Sequence, residues 1–428
     1  MEPGHTVPEE VLESKRRRLL ATAGSFAVAA ISGLLVQIAS VRILGEVDYG
    51  SYVAVIASVA LAELFVLNRG GELALGVLGE AWANDGRGEF GALTRRLYMH
   101  DLPWVLGGYA GLAGLALLFG DRLGWPATWV LVAATCLPIQ LGYGADKALL
   151  IVSGRVVAHV RMEAIISLAM GVLGIGLVLL FGVWGLLVAY PGGALVKVVL
   201  IRVLALKVRR ELARNHPPVP SARVIASSTQ VSTTLRNILN AVSEQIDVLI
   251  VNALAGSAAA AHYRIAKSLA SLPGRAFGPL WSALRPEMIR YWYLPDRTPI
   301  RSLLRKPVTL TAIGGAIVVP AAWFVAPPLI EFAYGVSSTS IVPALGALLV
   351  SSLALAGMAG WYRFLMLVDD DKLRSLRWAA ALMAWNLVLG LAIGAQGALA
   401  MALVVAAGQL ALAASAVVWL LRETRPPG

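Results

Sequence analysis

The chain has 428 residues, a formal net charge of +11 and a mean hydropathy of +0.73, with 58% hydrophobic and 14% charged residues. A soluble domain does not carry that balance. A single cysteine, Cys136, excludes a disulfide framework and a thiolate metal site, and the five histidines show no ligand spacing.

Residues 1–14 read as a disordered tail. The basic run Lys15-Arg16-Arg17-Arg18 then leads into an apolar segment with no convincing small-residue cleavage site, so it reads as a retained membrane helix. Crossing about 30 Å of hydrocarbon takes roughly 20 apolar residues as helix. Twelve segments qualify, at about 19–41, 48–67, 98–119, 126–150, 161–181, 184–204, 227–252, 257–280, 307–330, 341–366, 376–395 and 398–421. The longest predicted loops, at about 68–97, 205–226 and 281–306, are too short to house a soluble enzyme domain. No Gly-rich phosphate loop and no Gly-x-Ser-x-Gly turn is present.

The second six segments repeat the first six. Gly45-Glu-Val-Asp-Tyr-Gly-Ser-Tyr52 has a counterpart 211 residues on in Gly256-Ser-Ala-Ala-Ala-Ala-His-Tyr263, a turn glycine seven residues before a tyrosine each time. Gly182-Val-Trp-Gly185 is likewise matched to Gly394-Ala-Gln-Gly397. Starts shifted by that offset fall within a few residues of one another. The expected organisation is therefore a parallel 6+6 repeat: an N-lobe over 15–210, a linker over 211–226, a C-lobe over 227–421 and a tail over 422–428. The fold class is an all-α membrane protein of twelve transmembrane helices in two pseudo-symmetric six-helix lobes.

With the N-terminus placed in the cytoplasm, most of the 36 Lys and Arg fall on cytoplasmic ends and loops, among them Lys207-Val-Arg209-Arg210 and Lys372 to Arg377. That is the positive-inside pattern, so the basicity sets topology and does not point to nucleic acid. Both termini are expected on the cytoplasmic side of the membrane.

Charges inside apolar segments are expensive and point to function. On the seventh segment Arg236, Asn240, Glu244 and Asp247 lie within about 80° of one another at 100° per residue, forming one polar stripe. On the eighth, Arg264, Lys267, Ser271 and Arg275 form a second stripe, this one cationic. Asp247 and Arg264 lie at similar depth and could pair across the hairpin. Four cations against two anions still leave a surplus suited to an anionic ligand. Arg264 and Lys267 are expected to line a cargo cavity, with Arg236 near its entrance and Arg275 at the cytoplasmic mouth or as a snorkelling anchor. Lys197, without an obvious partner, is a further candidate. Glu63 is the one acid in the second segment, and could pair with a cation of the other lobe or bind an ion. With Glu244 and Asp247 it makes three candidates for H+ or Na+ coupling; no other cofactor and no metal is expected. Asp146 and Lys147 could neutralise one another, and Gln37 is expected to bond between helices. Gly107-x-x-x-Gly111 and Gly390-x-x-x-Gly394 read as close helix approaches. Pro138 and Pro273 read as bends.

Gln37-Ile-Ala-Ser-Val-Arg-Ile-Leu-Gly-Glu-Val-Asp-Tyr-Gly-Ser-Tyr52 resembles the first external turn of bacterial polysaccharide exporters, where Arg, Leu, Gly, an acid and Tyr-Gly link helices one and two. Asp247 to Gly256 with Tyr263-Arg-Ile-Ala-Lys267 resembles its second-half partner, departing from it at Ser257-Ala-Ala-Ala-Ala. Pro273 and the stretch from Leu280 to Pro286 resemble the end of helix eight. The family is the Wzx-type lipid-linked oligosaccharide flippases, in the superfamily that also holds multidrug extruders. The resemblance implies a V-shaped pair of lobes, alternating access and an undecaprenyl-pyrophosphate-linked glycan as cargo. Its partners would be that glycan, membrane lipid and a polysaccharide polymerase, with the chain a monomer. No bond is made or broken, so no catalytic residues are expected. A lipid II flippase and a multidrug or ion antiporter of the same superfamily are the alternatives, and a membrane-bound glycosyltransferase is the enzymatic one.

Overall fold

Why one long helix counts as two crossings is decided at Gly45, where φ 77° and ψ 174° interrupt α1 (Glu9–Ala83). The computed structural model describes residues 9–83, 86–215, 228–292, 298–368 and 372–423; some side chains inside these stretches, those of Arg69, Arg236, Asn240 and Arg275 among them, lie outside the description. α2 (Phe90–Leu123) follows, then a span in three pieces, α3 (Ala127–Ala134), α4 (Cys136–Ile139) and α5 (Tyr143–Val152), bent by 41°. α6 (Val156–Phe181) and α7 (Val183–Asn215) complete the first half. The second half holds α8 (Ser228–Ala255), α9 (Ser257–Trp292), α10 (Thr298–Tyr334), α11 (Ile341–Val368), α12 (Lys372–Ile393) and α13 (Ala398–Glu423).

Among the described residues eight helices are long and apolar enough to cross a membrane, and the bent span makes a ninth. One of the eight, Ala27–Leu64, is the α1 stretch divided at Gly45. α8 and α9, which carry the polar stripes, are at 28 and 36 residues also long enough to cross. Six crossings in each half result, and no described residue is in a strand. Large side chains such as Leu118, Leu180 and Phe324 stand exposed, as an apolar belt facing lipid does.

Hydropathy marks where a helix leaves the membrane and not where it ends, so the predicted loops prove largely helical. α1 runs on to Ala83, α7 to Asn215 and α9 to Trp292. Residues 9–14, expected in a disordered tail, belong to α1, and residues 1–8 lie outside the description. So do 216–227, most of the expected linker, and Asp369-Asp370-Asp371.

The repeat is present in the turns. Gly45 and Gly256 both take left-handed φ, 77° and 89°. The other matched pair is shifted: the left-handed positions are Gly182 (φ 59°) and Gly397 (φ 99°), the first glycine of one motif and the last of the other. Of the two Gly-x-x-x-Gly motifs, Gly390 and Gly394 do touch Ile250, at 3.1 and 3.0 Å from where a Cβ would stand. Gly107 and Gly111 meet nothing within 4 Å, and Gly107 instead opens onto an apolar groove beside Trp104 and Leu115.

Packing is dense within each half, and between halves it runs through α1 against α8, α9 and α10. The cluster there joins Val41, Tyr49, Val53 and Ala57 of α1 to Val251, Tyr263 and Ile330. At the face opposite the basic loops the Gly45 and Gly256 turns touch directly, Ser51 Oγ lying 3.0 Å from Ser257 Oγ.

Candidate functional site

A polar cavity of about 370 Å³ lies between α8, α9, α11 and α13. α9 presents Arg264, Lys267, Ser268 and Ser271 to it, at the three- and four-residue spacing that puts side chains on one face. α8 adds Glu244 and Gln245, and Ser352 and Gln409 close the far wall. The two stripes read from the sequence therefore meet, and they meet around a cavity.

The charges pair differently from expectation. Asp247 is buried and binds Lys267, not Arg264: Lys267 Nζ lies 2.5 Å from its Oδ2. Tyr263 OH donates to the same Oδ2 at 2.6 Å, and the Val248 N–H donates to Oδ1 at 2.7 Å. Lys267 also donates to the Glu244 carbonyl and lies 5.8 Å from the centre of the Tyr263 ring. A low dielectric makes leaving either charge alone costly, so the lysine nearest mid-membrane is drawn to the one buried acid within reach. Lys267 lines the cavity, but its charge is spent on Asp247.

Arg264 is different. Its guanidinium makes no hydrogen bond or ion pair to any described residue, and it faces the cavity wall and the α1 tyrosines Tyr49 and Tyr52, on which its charge acts. Among the described residues of the two stripes, the cations Arg264 and Lys267 are matched in number by Glu244 and the buried Asp247. The expected surplus of two cations therefore rests on Arg236 and Arg275, whose side chains lie outside the description. Gln37, expected to bond between helices, lies against Tyr49, on the far side of the Gly45 break, though its buried Nε2 has no aligned hydrogen bond among the described residues.

In the first half the broken span organises the acids. Pro138 and Gly142 (φ 77°) end α4 and start α5, and a Cβ at Gly142 would overlap the Tyr98 ring. The break turns Gln140 and Cys136 toward Glu63, whose Oε1 accepts from Gln140 Nε2 at 2.5 Å and Cys136 Sγ at 3.1 Å. Tyr190 OH donates to Oε2 at 3.0 Å. Glu63 thus has three neutral donors of its own half, and no described cation of the other half pairs with it. Pro273 coincides with no break: α9 runs through it.

Lys197 has a partner after all, Glu163 on α6 at 3.3 Å, and its ammonium lies 4.7 Å from the Tyr143 ring centre. Tyr143 OH donates to Glu163 at 2.7 Å, and the buried His159 lies 3.6 Å from it. Asp146 is not neutralised by Lys147. It is buried among Arg202 (3.1 Å), Arg209 and Tyr98 OH (2.6 Å), and Arg202 also takes the Leu141 carbonyl freed by the helix break. Sequence reasoning missed Glu163 because it stands near the start of a span, where charges pass as end anchors. The available signal was His159-x-x-x-Glu163, one helical turn on one face.

No family model and no curated protein matches the chain. Solved structures do. One described as lipid II flippase MurJ in an inward closed conformation superposes with a TM-score of 0.66 at 11% identity, covering 95% of this chain and 88% of that one. An inward-facing multidrug resistance MATE family transporter of the MOP superfamily gives 0.62 at 14% identity, covering 94% of each chain. An outward-facing structure of such a transporter gives 0.60 at 13%, covering 96% of each. At these identities the likeness establishes the fold alone, the many-helix fold that these solved structures share.

Proposed function

We propose that this chain is a flippase that moves an undecaprenyl-pyrophosphate-linked oligosaccharide from the inner to the outer leaflet of a bacterial cytoplasmic membrane by alternating access, for surface polysaccharide synthesis. The observation that carries the reading is Arg264, a cation without a described partner in a polar cavity beside the junction of the halves. A guanidinium in low dielectric binds a pyrophosphate through paired charge-assisted hydrogen bonds. Lys267 would join it only when Asp247 is protonated or displaced, and Arg236 and Arg275 would add to the anion site. The glycan crosses in the wet cavity while the polyprenyl tail stays in lipid, and no bond is made or broken.

Each negative charge carried outward against an inside-negative potential gains about 2.3 kcal/mol per 100 mV. Of the three carboxylates considered for coupling, Asp247 is neutralised by Lys267 and Glu63 is not paired with a cation. That favours Glu63 as the group that binds H+ or Na+. Glu63→Gln keeps the shape, so it is expected to leave passive flipping intact and to abolish its acceleration by an imposed ion gradient. Flipping measured in vesicles with and without the gradient checks this.

Two other cargoes belong in the same experiment. The structural neighbour named as a lipid II flippase makes lipid II one of them. Glu244, exposed in the cavity, favours a cationic drug as the other. The purified chain in vesicles should flip the lipid-linked oligosaccharide, Arg264→Glu should lose at least about tenfold of that rate, and Arg264→Lys should retain a measurable part. A chain that exports the cationic drug and leaves both lipid-linked cargoes unmoved would overturn the proposal.

A further inference from the structure

The contact that closes the face opposite the basic loops is made by the repeated turns themselves. Gly50 has no Cβ, and one there would overlap the Ser257 carbonyl, so the backbones touch. Ser51 and Ser257 are hydroxyl to hydroxyl at 3.0 Å, and Arg42 donates to the Phe332 carbonyl near the end of α10. None of these groups changes charge near neutral pH.

A neighbouring contact does. His262, six residues past Gly256, lies with its Nε2 3.0 Å from Glu46 Oε2, one residue past Gly45. Its Nδ1 is 2.7 Å from Ser340 Oγ, in the connection between α10 and α11. One imidazole therefore touches three elements, two from the second half and one from the first. We propose that Glu46, His262 and Ser340 form a proton-sensitive latch that holds the two halves together at this face and tightens when His262 is protonated.

The geometry favours charge over neutral hydrogen bonding. His262 Nε2 is at ion-pair distance from Glu46 but has no aligned hydrogen bond. A neutral ring gains little from such a contact, whereas an imidazolium gains the full attraction of the carboxylate. Ser340 suits both states, since its hydroxyl donates to a bare Nδ1 and accepts from a protonated one. The side chains of His262 and Glu46 are 16% and 32% exposed, covered enough to limit screening.

Other charges nearby are engaged or turned away. On α1, Arg42 is held by the Phe332 carbonyl and Asp48 is exposed. On α10, Glu331 accepts from Ser338 Oγ at 2.7 Å. On α9, Arg264 lies toward Tyr49 and Tyr52. Glu46 is the one charged partner of His262 among the described residues.

The sign follows from charge. An imidazolium at 3.0 Å from the Glu46 carboxylate attracts it, and a neutral ring in the same place does not. Acid on this face therefore favours closure, because it favours the charged ring. The inference does not rest on the cargo assignment, and its test needs no cargo.

The full chain carrying Cys136→Ser and spin labels at Val47 and Thr339, both exposed on either side of the contact, would be placed in nanodiscs and its interlabel distances measured from pH 5 to 8. The ratio of the short to the long population is expected to rise about two- to five-fold on acidification, the range for a partly exposed pair. His262→Gln and Glu46→Gln should flatten the response at the less closed level. His262→Lys should flatten it at the more closed level. A parent without a pH response, or an equal response in His262→Gln and Glu46→Gln, overturns the latch.

Discussion

Asp146→Asn is expected to cost about 3–5 kcal/mol of stability, the price of removing one member of a buried charge cluster and leaving the rest uncompensated. Asp146 is buried, accepts from Arg202 at 3.1 Å and from Tyr98 at 2.6 Å, and also binds Arg209. Arg209 is the more enclosed of the two cations, with its side chain 16% exposed, so its loss of a counter-charge dominates. Unfolding in mixed micelles, followed by loss of helix, measures the effect. Replacing the whole cluster with Leu at 146 and Met at 202 and 209 should recover much of the loss, because no charge is then left alone. If Asp146→Asn matches the parent chain, Asp146 does not hold α5 against α7.

The second large effect falls at Gly50. A Cβ there would overlap the Ser257 carbonyl, and a backbone atom cannot swing aside as a flexible side chain can. Overpacking of this kind costs about 1–3 kcal/mol. Here the cost lands on one conformation, because the contact exists only while the two halves touch. Gly50→Ala should therefore spare folding and lower the closed population by roughly 5- to 150-fold. Cysteines at Ser51 and Ser257, whose hydroxyls are 3.0 Å apart, report closure through cross-linking yield. An undiminished yield in Gly50→Ala would mean that the turns reach contact another way.

What could be read from the sequence follows from what carries the signal. Twelve apolar runs and two glycine turns at one offset are one-dimensional features, and both appear in the structure. The polar stripes on α8 and α9 were legible for the same reason, since helical spacing alone places Arg264, Lys267 and Ser271 on one face. Pairing was not. Whether Asp247 takes Lys267 or Arg264 depends on how two helices lean on each other, and nothing local to either helix decides it. Glu63 shows the limit most plainly. Its three donors come from α4, the α4–α5 connection and α7, brought together by a break in a span that hydropathy reads as continuous.

The distribution of these pairs bears on how the halves can move. Glu163 with Lys197, Asp146 with Arg202 and Arg209, and Asp247 with Lys267 each close within a single half. Among the described residues, the charged groups that bridge the halves are Glu46 with His262 and Arg42 with Phe332, at the rim. Among the described residues, the ion pairs inside the helices thus each close within one hexad. Rocking one hexad against the other strips none of these ions of its partner, and the described charged contacts that yield are those that water can replace.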